Sequence, residues 1–356
     1  MRRLSSLFFC SVLAACSAGA DKTSGVLSLD SGSTSSGTDS GGFNQGDAGT
    51  YEDVGNGLGN VDAALPETPA QGGQTFIYAH TDTELYSMDP KTQKLTDIGA
   101  FAGGSGSITD LAVNAKGDVW VNSETAIYTA TLPAGGTGPV QLTLKTSLPS
   151  GSKFYALGFV PAGYLQADEA LIAGDSAGSL YYIDTSGSSA TPQNLGSFGS
   201  YQAGDPSPAK SGDLWTLSGD VVFYTDSGGA VRGLATLRSC YTSSSGSVSC
   251  SSKNDVLAEV DMNALKTAFT SKSPATSLRK QILGSGTGYG RLFGIGAWEQ
   301  NVYAFSRASG TTTPAMLLQI GSNGAATVLQ TFSSITAGWS GAGVTTTATI
   351  TVLPPS

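Results

Sequence analysis

From Thr75 onward, apolar and polar positions alternate along the chain with a period of two rather than 3.6. Short runs of Val, Ile, Leu, Tyr, Phe and Thr are separated by clusters of Gly, Ser, Asp and Asn. That pattern predicts many short strands joined by tight turns. The one helix-like stretch, Met262 to Phe269 after a candidate cap at Asp261, spans barely two turns. The predicted class is all-β.

The strands recur in units. One unit is a strand ending in an acid or small polar residue, a turn, and a second strand. Examples are Leu85–Asp89 with Leu95–Gly99, Leu180–Asp184 with Leu195-Gly196, and Leu317–Gly321 with Ala326–Leu329; Leu257–Asp261 starts another and Ile127–Ala130 is a weaker copy. A second unit precedes these: Ile108–Val113 with Gly117–Val121, Phe154–Val160 with Leu171–Ala173, and Tyr289–Trp298 with Val302–Phe305. Together they give four strands per repeat. The ends complement each other, because Trp339–Val344 reads as a first strand without a sequel and residues 75–99 as a repeat lacking its first strand. Pairing them would close a ring and remove exposed sheet edges. The count is five blades, or six if the long segment 203–283 splits in two.

Four strands per unit resembles a β-propeller blade. The wording Leu-Tyr-Ser-Met-Asp-Pro at 85–90 and Gly-Asp-Val-Trp at 117–120 resembles exported bacterial propeller repeats of the NHL and YVTN-like type. The N-terminus points the same way. Arg2 and Arg3 precede a short apolar run, Leu4 to Ala15, which falls short of the ~20 residues needed to span a bilayer. It ends in Leu13-Ala14-Ala15-Cys16, which resembles a bacterial lipobox. The resemblance implies that residues 1–15 are a lipoprotein signal peptide and that Cys16 becomes diacylglyceryl-modified and N-acylated, giving a membrane anchor of palmitate type. Several acyl chains hold a protein far more firmly than one. Ser17, where an Asp would favour inner-membrane retention, implies the outer membrane. With its low-complexity segment and the Gly-Ala-Gly-Val-Thr-Thr at 341–346, the whole chain is similar to lipoproteins of predatory, soil-dwelling delta-proteobacteria of myxobacterial type. That likeness implies a fold and an address, and carries no activity residue by residue.

Composition refines this picture. Residues 16–73 are dominated by Gly, Ser, Asp and Thr, with Phe43 and Tyr51 as the only aromatics, so the segment is expected to be a disordered tether. Residues 17–73 hold eight acids against one base, Lys22, whereas 74–356, the expected propeller domain, hold 19 acids and 15 bases. Most of the net charge of −9 therefore belongs to the tether. Such a balance excludes nucleic acid as the main partner, since phosphate binding needs a basic footprint.

With Cys10 in the leader and Cys16 lipidated, Cys240 and Cys250 remain, ten residues apart around a Gly/Ser loop, and are expected to form a disulfide. A zinc site would need two further ligands, and the lone His80 is remote in sequence, so no metal site and no cofactor are expected. The loop with Arg232, Arg238 and Tyr241 near it is the candidate recognition element, because binding residues concentrate on loops held by rigid scaffolds. Gly174-Asp-Ser-Ala-Gly178 matches the G-x-S-x-G nucleophile pattern but falls between two strands, which predicts a hairpin turn. Gly284–Gly290 is Gly-rich yet lacks the following Lys-Ser/Thr and helix of a phosphate loop. The tryptophans Trp120, Trp215, Trp298 and Trp339 are expected to pack the core. No catalytic constellation emerges. The leading expectation is a non-enzymatic, lipid-anchored binding or scaffold protein recognising an envelope or extracellular partner, protein or polysaccharide. The alternative is an exported polysaccharide hydrolase or lyase with carboxylates at a central channel.

Overall fold

The computed structural model describes residues 76–299, 301–307 and 314–348, all within the compact unit Thr68–Ser356. The other unit, Met1–Glu67, and with it the proposed signal peptide and Cys16, lies outside the described residues, as does the tether to residue 73.

Alternation becomes antiparallel meanders. The first comprises β1 (Ile77–His80), β2 (Glu84–Asp89) and β3 (Lys94–Ala102). The second comprises β4 (Asp110–Val113), β5 (Val119–Asn122), β6 (Ala126–Thr131) and β7 (Val140–Ser147). Two parallel pairs, Phe101 with Val140 and Ala102 with Gln141, link these two. The third holds β8 (Phe154–Val160), β9 (Ala170–Asp175), β10 (Ser179–Ile183) and β11 (Gln193–Ser197).

Next come the long strands β12 (Leu214–Thr225) and β13 (Val231–Thr242), with the short β14 (Val248–Cys250) hung on the end of β13. This sheet is completed by β15 (Val256–Val260) and, after helix α1 (Met262–Ser271), by β16 (Arg279–Leu283). The strands between residues 214 and 283 thus belong to one sheet. The last meander is β17 (Leu292–Trp298), β18 (Asn301–Ser306), β19 (Ala315–Ile320) and β20 (Ala326–Phe332). Finally β21 (Gly341–Val344) pairs antiparallel with β1, Ile77 opposite Val344 and His80 opposite Gly341. The expected union of the two chain ends is present.

The first strands of successive sheets pack side by side in cyclic order: β4 on β8, β8 on β12, β12 on β17, β17 on β21, and β21 back on β4. Sheets standing around an axis with these strands innermost are the architecture of a β-propeller. Close approach at the axis demands glycine. A Cβ on Gly294 would come within 2.6 Å of the Ala342 amide, and one on Gly219 would overlap the Cα of Phe293.

The core lies between neighbouring sheets. Trp339, fully buried just before β21, meets Tyr86, Phe305 and Phe332 edge-on at 5.2–5.4 Å between ring centroids. Trp215 is likewise buried, while Trp120 and Trp298 are half-buried. Helix α1 starts as expected, with the Asp261 carboxylate accepting the Ala264 amide at 2.9 Å, and buries Met262, Leu265 and Ala268.

Candidate functional site

The five innermost strands begin on one face of the molecule, and a cavity of about 450 Å³ opens between their first residues. Its walls take Thr109 ahead of β4, Tyr155 from β8, Ser218 and Gly219 from β12, Phe293 from β17 and Ser340 ahead of β21. The hairpin between β9 and β10 adds Ser176, β13 adds Arg238, and Asp82 and Arg307 follow β1 and β18. The lining is hydroxyl-rich, with two guanidiniums and one carboxylate.

Those charges are held differently. Arg307 grips Asp82 with both terminal nitrogens, each at 3.0 Å, and donates to Ser340 Oγ at 2.9 Å; Ser340 in turn donates to Asp82. Burial opposes the charge on Asp82, but the hydrogen bonds from Arg307 and Ser340 outweigh it and hold its pKa below the usual range. Arg238 has no such partner: among the described residues its side chain makes no hydrogen bond or ion pair, and its Nε is buried without an acceptor.

Beneath the cavity floor lie the acids that converge on the axis. Asp110 Oδ2 accepts the Leu157 amide of the next strand at 2.5 Å. Asp220 accepts its own neighbour Val221 at 2.6 Å and Ile295 of β17 at 2.7 Å, with a further hydrogen bond from Ala342 of β21. Asp255 accepts the Leu292 amide at 2.9 Å and the Ser218 hydroxyl. These carboxyls staple neighbouring sheets together by satisfying amides that the inner strands leave unpaired. Asp110 and Asp220 are fully buried neighbours, and burial, joined at Asp110 by the nearness of Asp220, raises both pKa values well above the ordinary range.

His80 is fully buried beside them, its Nδ1 donating to the Thr81 carbonyl at 2.6 Å. Its Nε2 lies 4.0 Å from Asp110 Oδ1. Burial lowers the His80 pKa to about 4, so the imidazole is neutral near pH 7 and the contact is not an ion pair. Asp255, also fully buried, is raised to about 6 by its burial, against the opposing hydrogen bonds and the field of Arg238. Farther down, apolar residues including Val113, Leu157, Ile295 and Val344 leave a void of only about 10 Å³. That is room for one water at most, so the axis is closed.

Sequence-predicted residues distribute as follows. Cys240 and Cys250 form a disulfide as register partners on β13 and β14. Tyr241 is 44% exposed, with Lys210 Nζ 5.5 Å above its ring. Arg232 lies at the opposite end of β13, paired with Asp226 and Glu259 at 2.9 Å each. There it borders a second cavity of about 670 Å³. Six residues of strand separate it from Arg238, roughly 20 Å, so Arg232, Arg238 and Tyr241 do not make one patch.

Ser176 sits in a hairpin turn in which Asp175 Oδ1 accepts the Ala177 and Ser179 amides, both at 2.9 Å. His80 lies under the floor, so Ser176 has no histidine base there. Glu169 is used structurally, accepting the Ala115 amide at 2.9 Å and the Thr346 hydroxyl at 2.5 Å. Among the described residues no group of three His, Cys, Asp or Glu is placed to hold a metal.

Sequence reasoning missed Asp82, Arg307, Asp110, Asp220 and Asp255. One signal was present: Asp110-Leu-Ala-Val and Asp220-Val-Val-Phe each set an acid before a run of buried apolar residues.

No family model and no curated protein matches the chain. Its structure is similar to three solved propeller-like structures. One is a symmetrical protein described for its de novo evolutionary emergence (13% identity, TM-score 0.36, covering 75% of this chain and 93% of that one). Another is the Dos1 propeller (14%, 0.32), of which the match spans 61% while covering 72% of this chain. A third is the Cps50 (Swd1) β-propeller domain of Myceliophteria thermophila (10%, 0.34, covering 74% and 84%). At these scores they add no argument to the one the chain's own topology makes.

Proposed function

We propose that this chain is an exported, lipid-anchored β-propeller of five blades that binds its ligand without turning it over, taking it into the axial cavity. The blade count rests on the cyclic packing of β4, β8, β12, β17 and β21. The observation that carries the binding reading is the division of chemistry across the cavity floor. Hydroxyls, guanidiniums and a single carboxylate, Asp82, which is clamped by Arg307 and Ser340, face the open volume, whereas Asp110, Asp220, Asp255 and His80 are fully buried, the three acids bound to strand amides. A general acid or base has to reach the group it serves, and these do not. The partner is an envelope or extracellular protein or polysaccharide that offers a small group to the cavity.

One feature favours the hydrolase reading: two carboxyls do meet at the axis. Both, however, are fully buried and accept strand amides, so neither is open to a bound glycoside.

The test is a thermal-shift panel of sugars, amino acids and short peptides on the full chain, with Ser176→Trp as a blocked-cavity control. Stabilisation that vanishes in the control supports binding. Turnover that survives purification and disappears in Asp110→Asn overturns it. Membrane attachment has a separate test: Cys16→Ser should release the chain from membranes and abolish acyl labelling, and retention would refute the anchor.

A further inference from the structure

We infer that the axial cavity is specific for a small polyhydroxylated carboxylate, of the uronic acid kind, whose carboxylate is taken by Arg238. The inference rests on the binding role proposed above and adds the class of ligand.

Three other described arginines have an internal acceptor, and Arg291, which has none among the described residues, does not line the cavity. Arg307 holds Asp82, Arg279 holds Asp205 at 2.7 Å, and Arg232 bridges Asp226 and Glu259. Arg238 has none among the described residues, although a guanidinium carries five N–H donors in a planar fork. A partly buried guanidinium without an acceptor is costly to keep, and its geometry suits a carboxylate best. The nearby Asp255 takes Ser218 and the Leu292 amide on Oδ2 and leaves Oδ1 without a partner; it makes no hydrogen bond or ion pair with Arg238 and acts on it through its field.

Among groups lining the cavity the count is two guanidiniums against one carboxylate, a local positive excess in a chain of net charge −9. An anionic ligand is therefore selected by the site against the field of the protein. The hydroxyls of Ser107, Tyr155 and Ser176, lining the same cavity as Arg238, add short-range donors and acceptors, which match a ligand bearing several hydroxyls. The volume, about 450 Å³, lies within the ~300–1,000 Å³ usual for small-molecule pockets and accommodates a mono- or disaccharide.

The experiment is calorimetric titration of the full chain with D-galacturonate, D-galactose and inorganic phosphate. Galacturonate should bind, galactose at least about tenfold more weakly, and Arg238→Gln should weaken galacturonate by about tenfold or more, the effect of losing a charged hydrogen-bonded pair. Ser176→Trp, on an exposed turn, is the second variant and should abolish binding even if Arg238→Gln does not fold. Equal binding of galactose would overturn the carboxylate, and equal binding of phosphate would overturn the polyhydroxylated ligand. Galacturonate binding that survives Ser176→Trp would overturn the cavity as the site. Failure of all three probes overturns the specificity but leaves the binding role, which the broader panel decides.

Discussion

Gly341→Ala is the sharpest probe of the axis. Its backbone φ is unremarkable, so any loss is steric. A Cβ there would overlap Asp110 Oδ1 and stand 2.5 Å from His80 Nε2 and 2.9 Å from Asp110 Cγ. Neither side can give way cheaply. β21 is held by its register with β1, and Asp110 is held by the Leu157 amide. Overpacking a tight core costs about 1–3 kcal/mol, and stranding a buried amide adds about 1–3 kcal/mol. The expected loss is about 3 kcal/mol, equivalent to a fall of roughly 6–12 °C in Tm for a domain of this size.

Urea and thermal melts would read this effect, with Gly135→Ala as control, since a Cβ there meets nothing within 4 Å. The control should stay within about 0.5 kcal/mol of the parent. Asp110→Ala removes the overlapped oxygen, so the double variant should be less destabilised than the two single losses together, by about 1 kcal/mol or more. A Gly341→Ala protein melting within about 2 °C of the parent, or strict additivity with Asp110→Ala, would refute the packing argument.

Three further outcomes are expected. Asp255, raised to about 6 in the fold, contributes stability that is fully present below its unfolded pKa near 3.8 and lost as pH rises through 6. Relative to Asp255→Asn, the parent should therefore gain about 2 kcal/mol between pH 7 and pH 4 in denaturant titrations, and a pH-independent difference would contradict it. His80 acts oppositely: its lowered pKa of about 4 gives stability present above pH 6.5 and lost as pH falls through 4, so the two partly cancel in the parent. Asp205→Ala should cost about 3–5 kcal/mol, because it strands Arg279, only 3% exposed, and the Trp215 indole N–H; a loss under about 1 kcal/mol would contradict that. Cys250→Ser should cost only about 2 kcal/mol, since the loop is ten residues and β14 pairs with β13 alone, and should leave ligand affinity unchanged.

Much of the frame could be read from the chain because its signals are local. The alternation of Ile77 and Ala79, and of Ala342 and Val344, marked the strands that pair across the ends. Asp261 marked the helix start, and Asp175 the hairpin. The segment 203–283 left two readings open because of its length. In the fold Gly219 and Gly233 are points of close approach inside β12 and β13, where a Cβ on Gly233 would come 2.8 Å from the Phe223 ring. The cavity was not legible at all. Its walls draw on residues from 82 to 340, one to three from each contributing segment, so no spacing in the sequence announces them. Arg238 was noticed for its nearness to Cys240, yet it turns toward the axis while Tyr241 stays at the surface.

The antiparallel register of β1 and β21 also fixes a polarity. Ile77 and Val344 face each other at one pole of the propeller, so the polypeptide enters and leaves the ring there. His80 and Gly341 lie at the other end of the same pair, next to Asp82 and Ser340 on the cavity rim. Any membrane or partner attached through the flanking chain therefore pulls on the pole opposite the mouth. Tension applied through the flanking chain would load the seam between the two end strands while leaving the cavity mouth unobstructed.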